Sequence, residues 1–378
     1  MGLTRVRLGQ FIEEVTEHNS DSLYGTSSVR GIVKDKEIRP TSKAKTDGDT
    51  IKKFLIVRPN EFVYNPRTDR MGGVIGIALN DTSDTLLFSF NNVAFRFTAD
   101  GLDKIIPRWL LLYFKRTEFD RYVRFNSWGS ATQLFTISDM FDVVIDLPPI
   151  EIQRKYVAIY ESMLANQRAY ESGLDDIKLA CNALLDRCKL SSHRIRVGDC
   201  VSEVDRRNGD NRIDCAYGIN INKEFMPSKA SSDDLRNYKL VFPGELAYSS
   251  MQTGRDKCIR IALHEGEDSI AVSPAYSILH MKESSALSAE YLMTWFSRPE
   301  SDRLGWFLSD ASIRANLDLD RFLDIEIPVP EFNVQVAITS IYKALRARTA
   351  INKRLKTQLR EICPILIRGS IEEALKQP

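Results

Sequence analysis

The stretch VRLGQFIEEVTEHN (residues 6–19) returns in the middle of the chain as IRVGDCVSEVDRRN (residues 195–208). The two stretches align without a gap at an offset of 189 residues, and five of their residues are identical. Solenoid repeats have periods of about 20–50 residues. An offset this long therefore indicates a duplicated domain.

Further matches follow at offsets that fall gradually from 187 to 182 residues, as a few short loop deletions would produce. The repeated residues of the first copy are Gly31, Glu37, Pro40, Pro59, Glu61, Tyr64, Phe114, Arg116, Asp120 and Arg121. Two copies of one fold on one chain indicate two similar sites that are presented to one extended partner.

The composition predicts an ordinary soluble protein of two or three domains, with 378 residues, 43% hydrophobic and 27% charged. No apolar run reaches the roughly 18 residues of a membrane span, and no signal peptide is recognisable. Six scattered cysteines without a Cys-x-x-Cys pair predict reduced thiols in the cytoplasm. The net charge of +1 predicts no global basic field.

Each copy begins with a compact α+β domain, over residues 1–148 and 191–329. Short apolar runs bounded by turn residues predict strands of a mixed or antiparallel sheet at 54–57, 74–79, 93–97, 259–263 and 276–280. Apolar residues at helical spacing predict a single helix over 107–124 and a counterpart over 289–304.

A long helix follows each domain, over residues 149–190 and 330–378. Apolar residues recur in alternating steps of four and three, from Ile152 to Cys188 and from Val334 to Leu366. This is the heptad pattern of a coiled coil. Pro364 predicts a kink or break in the second helix. Two seams in one chain predict an antiparallel coiled coil that separates two similar domains, and hence an internal pseudo-two-fold repeat.

Polar residues interrupt both seams near the middle of the helices, at Asn166, Arg348 and Asn352. Polar seam residues can meet and fix the register of a coiled coil. They can equally be solvent-facing lapses in the pattern, and the sequence leaves both interpretations open.

Motifs that would indicate catalysis are missing from the sequence. It contains no Walker loop, no dinucleotide-binding loop and no Gly-x-Ser-x-Gly. The four histidines have no metal-ligand partner three or four residues away; they are His18, His193, His264 and His280. We therefore expect no catalytic residue, no metal site and no cofactor on this chain.

The ends of the two domains resemble those of a known family. In the first copy NSWGSATQ (126–133) leads to LPPIEIQ (147–153), and in the second SDASIR (309–314) leads to PVPEFNVQ (328–335). Together with the duplication and the two heptad helices, this resembles the specificity (S) subunit of type I restriction–modification systems. The family's helix start typically reads Glu-Gln, whereas Ile152 and Val334 precede Gln153 and Gln335 here.

The resemblance implies two target recognition domains held apart by the helix pair, each reading one half of a bipartite site in double-stranded DNA. It implies docking of two methyltransferase subunits, which would bind S-adenosylmethionine and methylate adenine. Two motor–nuclease subunits complete the restriction complexes of the family, and the sequence leaves their presence here open. Catalysis would then belong to other chains.

Candidate DNA-binding residues are basic or small polar side chains in loops of each domain, because Lys and Arg contact phosphates while Arg, Gln, Asn, Ser and Thr can read bases. In the first domain they are Lys34, Lys36, Arg39, Lys43, Lys45, Arg67, Arg70, Ser130, Thr132 and Gln133. In the second they are Arg206, Arg207, Arg212, Lys223, Lys229, Arg255, Lys257, Ser312 and Arg314. Because the halves share framework residues but differ elsewhere, we expect two different half-sequences.

Three alternatives stay open at this point. The duplicated domains could be a scaffold that binds proteins, in which case binding to random duplex DNA would not depend on salt. The chain could be an enzyme with a diffuse active site. It could also serve DNA reading in another defence or modification system.

Overall fold

A computed structural model describes residues 2–41, 48–67, 74–128, 133–191, 193–228, 234–251, 258–310 and 316–376. The chain divides into two compact units. The first unit comprises Met1–Ala169 with Asn352–Pro378, and the second comprises Tyr170–Ile351. Two long helices, α6 (Ile150–Ser191) and α11 (Phe332–Leu375), each contribute one part to either unit. The four predicted domain boundaries stay a prediction.

The first unit contains ten strands among its described residues. They are β1 (Thr4–Arg7), β2 (Ile12–Val15), β3 (Arg30–Ile32), β4 (Ile38–Pro40), β5 (Leu55–Val57), β6 (Phe62–Tyr64), β7 (Ile77–Leu79), β8 (Leu86–Phe88), β9 (Val93–Phe97) and β10 (Val144–Leu147). Its short helices are α1 (Gly48–Lys52), α2 (Ala99–Lys104), α3 (Pro107–Phe114), α4 (Thr117–Phe125) and α5 (Ile137–Phe141).

The second unit also contains ten strands within its described ranges. They are β11 (Arg194–Arg196), β12 (Val201–Val204), β13 (Ala216–Ile219), β14 (Phe225–Pro227), β15 (Lys239–Val241), β16 (Leu246–Ser249), β17 (Arg260–Leu263), β18 (Ile270–Val272), β19 (Ser277–Met281) and β20 (Glu326–Pro328). Its short helices are α7 (Val197–Cys200), α8 (Ala289–Phe296), α9 (Pro299–Leu308) and α10 (Leu319–Leu323).

Strand pairing shows that the two units are copies of one fold. The antiparallel sheet β2-β9-β6-β7 of the first unit has its counterpart in β12-β19-β16-β17 of the second. The pairs β1-β10, β3-β4 and β5-β8 likewise recur as β11-β20, β13-β14 and β15-β18. The internal repeat predicted from the sequence is therefore confirmed strand by strand.

Residues repeated between the two copies have structural roles. Gly9 packs so closely that an added Cβ would lie 2.8 Å from the Cβ of Phe141. The Asn19 side chain donates to the carbonyl of Tyr24 at 2.9 Å, as Asn208 donates to Ile213 at 2.9 Å. Tyr64 is fully buried. Shared residues of this kind maintain the fold rather than recognise a partner.

The single helix predicted over 107–124 is wrong, because two helices lie there. Arg116 is extended, with φ −76° and ψ 147°, and separates α3 from α4. Arg298, with φ −79° and ψ 144°, separates α8 from α9, and Pro299 follows at the first turn of α9. Apolar periodicity continues across both breaks because both helices pack on the same core.

Both long helices pack into the cores of the units. In the first unit, Tyr160 of α6 and Cys363 and Ile367 of α11 are buried in one cluster with Trp109, whose Nε1 donates to Ser370 Oγ at 3.2 Å. In the second, Cys181 and Leu185 of α6 join Ile338 of α11 in a cluster with Tyr291 and Phe322. A break at Pro364 is wrong, since α11 continues through it with buried residues on either side.

The two helices run antiparallel in each unit. In the first, Lys155 contacts Glu373 at 2.7 Å, while Gln167 Nε2 donates to Asn352 Oδ1 at 3.0 Å. Asn352 thus occupies a buried polar layer, as one interpretation of the sequence expected. Its partner is Gln167 and not Asn166, which is exposed. In the second unit the Arg348 guanidinium lies 5.4 Å from the ring of Tyr170.

A buried amide joins the start of each long helix to its domain. Gln153 is fully buried, accepts from the Ile106 amide at 2.9 Å, and donates to the carbonyls of Lys104 and Pro148, both at 2.8 Å. Gln335 makes the same three bonds, from Ser288 and to Ala286 and Pro330. The glutamine of the helix-start motif therefore has a structural role, and the residue before it contributes none of these bonds.

Candidate nucleic-acid interface

Two chain segments meet in the first unit where several candidate DNA-binding residues were predicted. One segment leaves β6, and the other connects α4 to α5. Trp128 and Leu134 exchange backbone hydrogen bonds of 3.2 and 3.0 Å, and the Phe135 amide donates to the Pro66 carbonyl at 2.9 Å. A β-bridge also pairs Arg67 with Leu134. We call Arg67, Trp128 and Leu134 the first loop junction.

The first loop junction exposes apolar surface beside a cation. Trp128 is 71% exposed, against the expectation of a core residue, and Leu134 is 37% exposed. Arg67 is half-buried, and Gln133 beside it is exposed. Below them lies Tyr64, whose hydroxyl is buried without a hydrogen-bond partner and whose pKa is raised by burial. The junction therefore rests on a rigid aromatic floor while its own side chains face outward.

The second unit builds the same junction from different residues. A bridge pairs Met251 with Asn316, the Leu317 amide donates to the Ser250 carbonyl at 2.9 Å, and Asp310 N donates to the Asn316 carbonyl at 3.0 Å. Met251, Asp310 and Asn316, the second loop junction, thus occupy the positions of Arg67, Trp128 and Leu134. Sequence reasoning missed all three, although the offsets of 184 and 182 residues between the copies would have aligned them.

The shared backbone with different side chains is the central property of this site. The first junction offers a guanidinium and an indole, and the second offers a carboxylate, an amide and a thioether. Arg suits guanine, Asn suits adenine, and Asp can accept from the amino group of cytosine. One frame can therefore present two different sets of base-reading groups.

Several candidate residues are exposed and paired only with near neighbours. Arg39 contacts Glu37 at 3.0 Å, Arg207 contacts Asp205 at 2.6 Å, and Arg212 contacts Asp210 at 3.1 Å. Lys34 is exposed as well. Exposed ion pairs of this kind contribute about 0–1 kcal/mol, so these cations can exchange their carboxylates for phosphates.

Three candidates have structural roles, and the prediction that they contact DNA is corrected. Lys36 and Lys223 are 5% and 6% exposed, and each amine is held by an aspartate and a carbonyl. Burial lowers the pKa of both lysines, against the opposing effect of Asp120 or Asp302. The half-buried Arg206 contacts Glu245, which is buried, and lies 4.1 Å from the ring of Phe242.

The other candidates lie outside the described residues. They are Lys43, Lys45, Arg70, Ser130 and Thr132 in the first copy, and Lys229, Arg255, Lys257, Ser312 and Arg314 in the second. Chain connectivity attaches Arg70, Ser130 and Thr132 to the segments of the first junction, and Arg255, Lys257, Ser312 and Arg314 to those of the second. Their role in DNA binding stays a prediction.

Within the described ranges, no three His, Cys, Asp or Glu residues come together as a metal site would require. Of the helices in that part of the chain, none is both long and apolar enough to cross a membrane. The six cysteines are unpaired thiols, and all but Cys215 are buried.

Comparison with known proteins identifies the fold. No family model and no curated protein matches the sequence. Among solved structures, the type I restriction–modification S subunit from M. genitalium is 14% identical, with a TM-score of 0.60 over 98% of this chain and 96% of that chain. The HsdS subunit from Thermoanaerobacter tengcongensis is 14% identical, with a TM-score of 0.39 over 99% and 97%.

The first of these structures matches both copies of the domain and both long helices, since it covers almost all of this chain. The predicted α+β architecture of two similar domains with long antiparallel helices is confirmed, and so is the resemblance stated from the sequence. This chain has the fold of the S subunit of type I restriction–modification systems.

Proposed function

We propose that this chain is a non-catalytic, sequence-specific DNA-binding subunit that reads a bipartite, asymmetric site. The observation that carries the proposal is the pair of loop junctions, which have one backbone arrangement and different side chains. Equivalent frames favour two equivalent modes of docking. Different side chains favour two different base sequences.

Two partners follow from this proposal. The duplicated fold offers two equivalent docking surfaces, which suits two methyltransferase subunits that carry S-adenosylmethionine. Two motor–nuclease subunits would join in a restriction complex. The chain itself then needs no cofactor, because it supplies recognition while the methyl transfer takes place on the partner.

Binding of unrelated duplex DNA tests the phosphate-contact part of the proposal. Exposed cations such as Lys34, Arg39 and Arg207 would release counterions when they contact phosphates, so the logarithm of affinity should fall linearly with the logarithm of salt concentration. Fluorescence anisotropy of the full chain, alone and with co-expressed methyltransferase subunits, measures this slope. Affinity that ignores salt would instead favour the protein-binding scaffold.

Selection from a random duplex library tests the two readers separately. We expect two conserved segments with an unspecified gap between them. Gln133→Ala should relax base preference in one segment only, and Asn316→Ala in the other, by about tenfold where a base contact of about 1–3 kcal/mol is lost. Gln10→Ala removes an exposed amide elsewhere in the first unit and should change neither. A wild-type selection without two segments would refute the proposal.

A further inference from the structure

A buried ion pair lies beneath the junction of the first unit. Lys36 Nζ donates to Asp120 Oδ1 at 2.7 Å and to the Phe114 carbonyl at 2.5 Å. The same Asp120 Oδ1 accepts from the Ile75 amide at 3.2 Å. One ion pair thus joins the turn between β3 and β4, the end of α3, the body of α4 and the chain just before β7.

The second unit contains the same arrangement. Lys223 Nζ donates to Asp302 Oδ1 at 2.6 Å and to the Phe296 carbonyl, while the Ile259 amide donates to Asp302 Oδ1 at 3.0 Å. Both lysines have left-handed backbone conformations, with φ 60° at Lys36 and 61° at Lys223. The turns that carry them are therefore shaped to direct each amine inward.

Such a pair is an expensive way to stabilise a core. Burial of two charges costs several kcal/mol per ion, and well-packed apolar residues are often as stable or more so. The fold nevertheless contains the pair twice, with the same four segments joined. What the ion pair supplies and an apolar pair cannot is a hydrogen-bond acceptor for the Ile75 or Ile259 amide.

Those two amides begin the chain that follows the segments with basic candidates. Arg70 lies between Arg67 and Val74, and Arg255 and Lys257 lie between Met251 and Cys258. At its other end, the first of these segments is fixed by the bridge between Arg67 and Leu134, and the second by the bridge between Met251 and Asn316. The aspartate therefore fixes the end that the bridge does not.

We propose that Lys36 with Asp120, and Lys223 with Asp302, are positioning residues for DNA reading. Each pair holds the return end of the segment that carries Arg70, or Arg255 and Lys257, at a fixed place relative to the loop junction. The inference rests on the function proposed above and adds residues that do not touch DNA. Loss of a pair should impair base discrimination in one half-site and spare phosphate-dependent affinity.

The test uses double substitutions that keep the core filled. Lys36→Met/Asp120→Leu replaces the ion pair by apolar groups of similar volume and removes the acceptor of the Ile75 amide. Lys223→Met/Asp302→Leu does the same in the second unit, so each variant is the matched control of the other. The full chain, with co-expressed methyltransferase subunits, is selected against a random duplex library, and circular dichroism monitors its thermal unfolding.

We expect each double variant to unfold cooperatively and to lose base preference about tenfold or more in its own segment of the selected site, as loss of one good base contact would produce. Affinity for an unrelated duplex should change less than twofold. Lys36→Met/Asp120→Leu and Lys223→Met/Asp302→Leu should blur opposite segments.

Three outcomes are informative. If the wild-type chain selects no two-segment site, the proposed function fails and the positioning role falls with it. If the wild type selects such a site and folded double variants keep full preference in both segments, the positioning role alone is overturned. Should a double variant not fold, Asp120→Asn and Asp302→Asn decide, because they keep the oxygen and remove its charge. A smaller loss in the same segment supports the proposal, and unchanged preference overturns it.

Discussion

Deletion of residues 359–378 at the C-terminus is expected to unfold the N-terminal domain and to leave the second unit folded. The deleted part of α11 supplies Leu359, Cys363, Leu366 and Ile367 to the core of the first unit, all of them 8% exposed or less. Full burial of one such side chain contributes about 1.5–3 kcal/mol. Four together approach the total stability of about 5–15 kcal/mol that a domain has.

Hydrogen exchange followed by mass spectrometry measures this effect in each unit separately. Peptides from β2, β6 and β9 should lose protection in the deletion variant, while peptides from β12, β16 and β19 should keep it. Loss of protection in the second unit first would contradict the assignment of this part of α11 to the first unit.

Single substitutions give a matched version of the same test. Ile367→Ala removes a fully buried side chain and should cost about 2–5 kcal/mol in the first unit. Ile365→Ala makes the same chemical change two residues away on α11, where the side chain is 63% exposed, and should have little effect. Leu185→Ala in α6, at 1% exposure, should destabilise the second unit instead.

The duplication and the heptad helices could be predicted from sequence because both are periodic signals. Repeated residues such as Gly9 and Asn19 keep their spacing when the fold is copied, and a helix that packs on one face must repeat its apolar residues. The register of the seam was less certain. Gln167, and not Asn166, lies in the buried layer, because the seam shifts by one residue where the helices pack on the domains.

The candidate site was harder to predict because burial of a charge is decided by distant residues. Lys36 and Asp120 are 84 residues apart, and Lys223 and Asp302 are 79 apart. A lysine in a polar turn therefore resembles a phosphate contact until its partner is known. The loop junctions have the opposite difficulty, since Trp128 and Met251 are apolar residues that the fold leaves exposed.

The buried glutamines at the helix starts are expected to be among the most sensitive positions of the chain. In Gln153→Leu the Ile106 amide and the Lys104 and Pro148 carbonyls lose their partner together. A buried polar group left unsatisfied costs about 1–3 kcal/mol, so three of them should cost at least about 3 kcal/mol. Gln335→Leu should cost as much, because Gln335 makes the same three bonds.

Chemical denaturation with hydrogen exchange measures which unit responds. Gln153→Leu should destabilise the first unit and Gln335→Leu the second, while Gln358→Leu, at an exposed position of α11, should leave the free energy of unfolding within about 0.5 kcal/mol of wild type. Gln153→Glu separates shape from hydrogen bonding, because a carboxylate can accept from Ile106 but cannot donate to either carbonyl. Stability of Gln153→Leu close to that of wild type would show that the helix is attached to its domain by apolar packing alone.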